Sequence, residues 1–417
     1  MVNWAIAKRP VALVGLNLIA AACYLLVGWR TGFLWHVDSS VFSTPDSHTY
    51  RQVADWIYGA RSSAPASIWR PFLFPTLLGF ADRAGGSLGV WVMNLVLWFV
   101  ALNTTGAAVY RLTRNHWATG FVFLALAANI SLILLTFQAL TEITTLALIG
   151  VWLVGLSFLQ TRPTARQVLL ALLPVALLVV VKPEFEVLLV VTVLFLLFAV
   201  WRSAARGPAY VALAASLLPV AAQLALMVSV NHVWGISQIG DSTIRGYYVS
   251  RLFVYLGMSP DVYSAQPQAV AMSNTALLQF LAGHPLAAMR VFTHILRDNL
   301  ESSSNFLTAA NPIFLTIDTV TNQVYAWILV AMIPVVAIAL MLRKDARLAL
   351  ICVALLNVLL AGGLSFWQGD RLTIIAIPLG GAALGLALTQ VAERLRDTRP
   401  GESEPPAVVQ PVGAADG

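Results

Sequence analysis

Long apolar runs separated by short polar joints make up most of this chain. Runs of spanning length fall at about 10–29, 87–110, 117–136, 143–161, 167–182, 185–201, 208–231, 320–342, 346–366 and 372–392. About 20 apolar residues cross a bilayer core, and in lipid only a helix satisfies every backbone group within such a run. The pattern therefore predicts about 10 transmembrane helices. Two longer polar stretches interrupt it, at about 30–86 and 232–319.

Both stretches carry helical periodicity of their own. From Asp46 to about Ala60, the residues Tyr50, Val53, Ala54 and Ile57 fall on one face, while Arg51 and Asp55 fall elsewhere. This predicts an interfacial helix lying on the membrane surface. Arg70-Pro71-Phe72-Leu73-Phe74-Pro75 follows, then about ten apolar residues, too few to span and read as interfacial or re-entrant. In the second stretch Gly283-His284-Pro285 opens a predicted helix to about Asn299, which would present Leu286, Met289, Ile295 and Leu296 to a partner.

Composition agrees with the class. The 417 residues are 59% hydrophobic and only 11% charged, about half the charge of a soluble domain. The net charge of +6 does not point to nucleic acid, because the basic residues sit at the ends of the apolar runs. Those clusters are Lys8-Arg9, Arg111 with Arg114, Arg162 with Arg166, Arg202 with Arg206, Arg343-Lys344 with Arg347, and Arg394, Arg396 and Arg399. They fall on alternate joints, so that side is expected to be cytoplasmic, with both termini there. Of 19 Asp and Glu, 13 then fall on the outer side, with both long loops. Ala20-Ala21-Ala22-Cys23 lacks the Leu of a lipoprotein box, and the first run is read as an uncleaved anchor. Cys23 and Cys352 both lie in apolar runs and suggest neither disulfide nor metal. The expected organisation is one transmembrane domain over 1–399, with outer loops 30–86 and 232–319, and a disordered Pro- and Glu-containing cytoplasmic tail over 400–417.

In so apolar a chain each ionisable residue needs a reason. Asp46 follows a proline at a predicted helix start, and spacing alone favours it as an N-cap. Lys182-Pro183-Glu184-Phe185-Glu186 joins two runs of only 16 residues, about 24 Å of helix each against a core of about 30 Å. That turn is expected below the outer surface, with Lys182 and Glu184 facing a cavity; the competing reading is snorkelling to the interface. Glu142 opens a span, where the helix dipole favours a carboxylate. Gly369-Asp370-Arg371 precedes the last span, and a cation at a helix start calls for an anionic partner. Acids and bases meeting at a lipid-flanked cavity suit transfer from a lipid-linked phosphate: a carboxylate takes the proton of an attacking hydroxyl, and Arg or Lys stabilises the departing phosphate.

On these residues the chain resembles the GT-C superfamily of membrane glycosyltransferases, in its protein-mannosyltransferase and aminoarabinose-transferase-like branch. The likeness rests on Pro45-Asp46-Ser47-His48-Thr49-Tyr50 straight after the first span, the Arg70–Pro75 segment, Thr141-Glu142, and Gly369-Asp370-Arg371-Leu372 with Pro378 beyond. It covers 1–190 and, less fully, 361–390. The resemblance implies an all-α polytopic GT-C-like fold in a bacterial plasma membrane. The implied activity moves a hexose or pentose from a polyprenyl-phosphate sugar donor to a lipid, protein or glycan acceptor on the outer side. It makes Asp46 the catalytic carboxylate, with Glu142 as the second candidate. Asp55, Arg70, Lys182, Glu184, Asp370 and Arg371 become candidate substrate-binding residues. Where the family often has an acidic pair, Ser47 follows Asp46; a divalent metal ion stays open as cofactor.

Two other functions compete, beside a structural or assembly role that would leave the outer acidic and basic groups without a common cavity. A transporter or flippase of lipid-linked sugars would place charges near the midplane and show inverted repeats, and the chain has neither pattern. A polysaccharide ligase or polymerase would use Arg and His of the late outer loop, where Arg290 and His294 stand at i,i+4 with His284 upstream. The plain alternative for that pair is a solvated helix face.

Overall fold

The computed structural model describes residues 10–65, 70–202, 206–261, 265–303, 311–366 and 368–397. The regular elements these residues form are all helical, with no strand among them. The longer helices are α1 (Pro10–Arg30), α2 (Pro45–Ile57), α3 (Leu73–Thr113), α4 (His116–Ala127), α5 (Glu142–Ser157), α6 (Ala165–Val179), α7 (Glu186–Trp201), α8 (Arg206–Ser216), α9 (Leu218–Asn231), α10 (Asn274–Gly283), α11 (Pro285–Glu301), α12 (Pro312–Arg343), α13 (Ala346–Leu364) and α14 (Ala376–Asp397). Seven helical segments are long and apolar enough to cross a membrane, counting α8 and α9 together, and α4, α5 and α6 are shorter apolar helices. The chain is thus a multi-pass membrane protein: among the described residues, seven segments of full spanning length and three shorter apolar helices stand at the ten expected runs.

The three short helices have local causes. The run expected to span 117–136 breaks after Ala127, because Asn129 caps a second, fully buried helix, Ile130–Leu135, by accepting from the Leu132 N–H at 2.8 Å. α5 and α6 cover about 24 and 22 Å, so they end inside a bilayer-thick bundle. α5 is apolar on every side and largely buried, as a helix surrounded by others must be. It packs most extensively on α3, then on α6. At Gly155 a Cβ would fall 2.0 Å from the Leu170 carbonyl oxygen, so only glycine permits the α5–α6 approach.

The outer regions also differ in detail from the pattern. The apolar stretch after Pro75 is a helix, 73–84, folded back on the span 87–113 through Gly85 and Gly86, the latter at φ 59°. The span predicted to start near 320 starts at Pro312, which draws Asp318 out of the second loop into α12. There the Asp318 carboxylate accepts from the hydroxyls of Ser131 and Ser303, both at 2.7 Å. α11 forms as predicted, but Val291 and Ile295 are buried while Leu286 and Met289 are exposed. The face expected to offer Ile295 to a partner is instead taken by α13 and α12. Lys8, Arg9, Trp69, Trp367 and the tail 400–417 lie outside the described residues.

Candidate active site at one end of the bundle

α2 is amphipathic as the sequence predicts, burying Ser47, Tyr50, Val53 and Ala54. Its cap is not Asp46. The Thr44 hydroxyl accepts from the Ser47 N–H at 3.2 Å, Pro45 takes the first helical position, and Asp46 stands in the first turn with a carboxylate not used in capping. That carboxylate is gripped from two sides. Arg70 Nη2 donates to Oδ1 at 2.5 Å, and Arg371 Nη2 donates to Oδ2 at 2.7 Å.

The pairing continues inward. Arg371 Nε donates to Glu142 Oε1 at 2.7 Å. Lys182 Nζ stands 3.5 Å from the same oxygen and 4.0 Å from Glu184 Oε1. The result is an alternating row, Arg70–Asp46–Arg371–Glu142–Lys182–Glu184, with three cations and three anions. The Glu142 side chain is fully buried, those of Arg70, Lys182 and Arg371 nearly so, and Asp46 is 30% exposed, the most open member. Lys182 is buried and Glu184 partly so, and the turn lies beside Glu142.

The six members come from five pieces of chain: α2, the segment before α3, the first residue of α5, the turn Lys182–Phe185, which supplies two, and the turn before α14. Pro183 opens a single 3-10 turn there, which puts Lys182 and Glu184 at the end of the short α6–α7 pair. Gly369, at φ 58°, makes the tight turn that aims Arg371 inward. Asp370 holds this turn: its N–H donates to the Ser302 carbonyl at 3.0 Å, and its Oδ2 accepts from Asn322 Nδ2 at 2.8 Å. Asp370 is thus tied to α12 through Asn322 and holds the turn from which Arg371 projects. Asp55 is outside the row. It lies nine residues beyond Asp46, half a turn round α2 at about 100° per residue.

The fields favour charge at Asp46 and Arg371, whereas burial pushes the Glu184 carboxyl up. Burial alone would raise the Asp46 carboxyl, but the Arg371 and Arg70 guanidiniums outweigh it and hold it below the usual carboxylate range. Burial would likewise weaken the Arg371 cation, and the Glu142 and Asp46 carboxylates more than reverse this. Arg70 also lies over the Tyr50 ring, 4.2 Å from its centroid, and Tyr50 meets Phe74 edge-on at 4.9 Å. Tyr50 shows in the sequence only as an apolar-face residue; its partner is 20 residues away and invisible to periodicity.

The acidic residues of the row are already engaged by cations. Asp46 and Glu142 each pair with a guanidinium, Lys182 and Glu184 lie beside Glu142, and no three His, Cys, Asp or Glu side chains converge among the described residues. The late-loop pair stays apart from the row. His294 Nε2 lies 3.6 Å from Asp298 on the exposed face of α11, and Arg290 points to the Tyr255 hydroxyl at 3.4 Å.

Fold and site together define a polytopic all-α membrane protein with a buried, charge-balanced ionic row at one end. No family model matches the chain, and no curated protein matches it. Two solved structures are similar to it. One is ArnT from Cupriavidus metallidurans bound to undecaprenyl phosphate, with 11% identity and a TM-score of 0.43 over 93% of this chain and 79% of that one. The other is the archaeal oligosaccharyltransferase AglB from Archaeoglobus fulgidus, in complex with an inhibitory peptide and a dolichol-phosphate, with 15% identity and a TM-score of 0.47 over 96% of this chain. The chain spans 53% of AglB's length.

Proposed function

We propose that the protein is a membrane glycosyltransferase that moves a sugar from a polyprenyl-phosphate-linked donor to an acceptor hydroxyl, at the extracytoplasmic end of the bundle. The observation that carries this reading is the Asp46 carboxylate held between Arg70 and Arg371 at the open end of a buried ionic row. Stripping ions of water costs several kcal/mol each, so six of them gathered from five distant segments need a purpose beyond stability. The sequence likeness to GT-C enzymes falls on four of these same residues: Asp46, Arg70, Glu142 and Arg371.

The chemistry follows from the pairings. A donor phosphate entering beside Asp46 competes for the same guanidiniums, since Arg matches phosphate as well as carboxylate. As Arg70 and Arg371 turn to the phosphate, Asp46 loses two stabilising charges and becomes a stronger base. The acceptor oxygen then attacks the anomeric carbon, the bond from that carbon to the phosphate oxygen breaks, and Asp46 takes the hydroxyl proton. The electron pair leaves on the lipid phosphate, where Arg371 and Arg70 stabilise it. Glu142 keeps Arg371 charged and oriented, and Lys182 balances Glu142. The extracytoplasmic assignment rests on the positive-inside rule, because the basic joints gather at the opposite end.

The test separates binding from transfer. Purified protein should bind a polyprenyl phosphate, and Asp46→Asn should keep that binding while transfer from polyprenyl-phosphate sugars falls by about 10²- to 10⁴-fold. Full transfer by Asp46→Asn, or no binding by the wild type, would overturn the reading.

A further inference from the structure

The opposite end of the bundle holds a cavity of about 820 Å³ where α7, α12 and α14 finish. It lies about 24 Å from the ionic row, the length of α7 from Glu186 to Trp201. Its wall carries five cations, Arg162, Arg202, Arg343, Lys344 and Arg347, against two carboxylates, Asp345 and Glu393. Both carboxylates are engaged: Arg347 Nη2 lies 2.7 Å from Asp345 and Arg343 lies 3.3 Å from Glu393. Arg162, Arg202 and Lys344 have no carboxylate partner among the described residues, and Arg202 only covers the Phe198 ring, 4.0 Å from its centroid. The cavity is therefore three positive charges in excess.

Two further features narrow what fits. Gln390 lines the cavity and is buried; its Nε2 donates to Asp345 Oδ2 at 2.9 Å, while its Oε1 has no partner among the described residues. A buried acceptor left without a donor is costly, and a ligand hydroxyl would satisfy it. From the cavity wall, α7 also runs an exposed apolar stripe of Val187, Val190, Leu194, Phe198 and Trp201. Phe198 belongs to both the stripe and the cavity. A ligand with an anionic, hydroxyl-bearing head and hydrocarbon tails meets all three demands.

We infer that this cavity binds the headgroup of an anionic glycerophospholipid of the phosphatidylglycerol type, with the phosphodiester at Arg162, Arg202 and Lys344, a headgroup hydroxyl at Gln390, and acyl chains along α7. Basic pockets between transmembrane helices are suited to such headgroups. This site is independent of the ionic row and of the proposed transfer reaction.

The test uses the full chain in nanodiscs of phosphatidylcholine mixed with phosphatidylglycerol, with lipid retention read by native mass spectrometry. The wild type should retain phosphatidylglycerol over phosphatidylcholine. The double variant Arg162→Gln/Arg202→Gln should lose about tenfold or more of that preference, and Arg162→Lys/Arg202→Lys should keep most of it. Gln390→Leu should erase any preference for phosphatidylglycerol over phosphatidic acid, which lacks the headgroup hydroxyl. Equal retention of phosphatidylglycerol by the wild type and a folded Gln double variant would overturn the proposal. So would displacement of the lipid by millimolar inorganic phosphate, which would make the site one for a soluble anion.

Discussion

The two ends of the bundle treat charge in opposite ways. At one end three basic and three acidic side chains pair with one another, with Glu142 fully buried and Asp46 the most open. At the other, five cations face two anions across an open cavity, and Arg162, Arg202 and Lys344 are exposed. Helices α7 and α14 join the two, each running from a turn that supplies the row to the wall of the cavity. Solvent access explains the contrast. A buried ion must bring its counter-ion with it, whereas an exposed one keeps its water and can wait for a ligand. The closed row is thus a device that must be opened by a competing phosphate, and the basic cavity is a receptor already open.

The sharpest way to break this comparison is one chemical change made at both ends. Glu142→Gln leaves Arg371 Nε and Lys182 without their shared carboxylate in a buried site. Removing one partner of a buried pair typically costs about 3–5 kcal/mol, and a fall of that order should appear in thermal unfolding of the detergent-solubilised protein. Arg371→Met should cost at least as much, because it strips Asp46 and Glu142 together. A change in either variant below about 1 kcal/mol would mean that water already reaches the row.

Arg70 comes next. Among the described residues it pairs with the Asp46 carboxylate, and it stacks on Tyr50. Arg70→Gln should therefore spare most of the stability and strike phosphate binding, seen as weaker capture of a polyprenyl phosphate. Acid should act on the same contact. Asp46 has a lowered carboxyl pKa, so its pairing contributes stability that is complete above the unfolded value of about 3.9 and lost as pH falls through the lower folded value. The gap in thermal midpoint between the wild type and Asp46→Asn should hold from neutral pH to about pH 5 and close below about pH 4. A gap unchanged at acid pH would show that the carboxylate form contributes nothing to the fold.

Much of the closed row could be read from the chain because ions stand out against hydrocarbon. Asp46, Glu142, Lys182, Glu184 and Arg371 were each conspicuous as charges at the ends of apolar runs, and the short runs around Lys182 signalled a submerged turn. What periodicity could not supply was partnership. Asp46 meets Arg371 across 325 residues and Glu142 meets it across 229, and no local rule spans such distances. Local chemistry also misled at three points. Thr44, not Asp46, caps α2, because a threonine before proline can reach the third amide. Asp55 is placed by helical phase on the side away from the row. Asp370 stands next to Arg371, yet adjacent side chains diverge, and Asn322 takes it. The helix lengths erred for a related reason: a single asparagine, Asn129, offers its own cap and breaks an apolar run that hydropathy reads as continuous.

The smallest expected effect is at the basic end, and its sign is what matters. Glu393 pairs with Arg343 at 3.3 Å with its side chain more than half exposed. An exposed pair is worth about 0–1 kcal/mol, so Glu393→Gln should barely shift the unfolding midpoint, in contrast to Glu142→Gln. The same change removes one of the two carboxylates from a cavity that already has excess positive charge. Retention of an anionic phospholipid should rise, by about fivefold if one wall charge is worth about 1 kcal/mol, and the gain should shrink as salt is added. At the closed end, losing a carboxylate removes stability and leaves cations stranded. At the open end, the same loss should cost almost nothing and strengthen a ligand. Weaker lipid retention in Glu393→Gln would show that this carboxylate orders Arg343 for the headgroup, which would make the two ends alike in needing their anions.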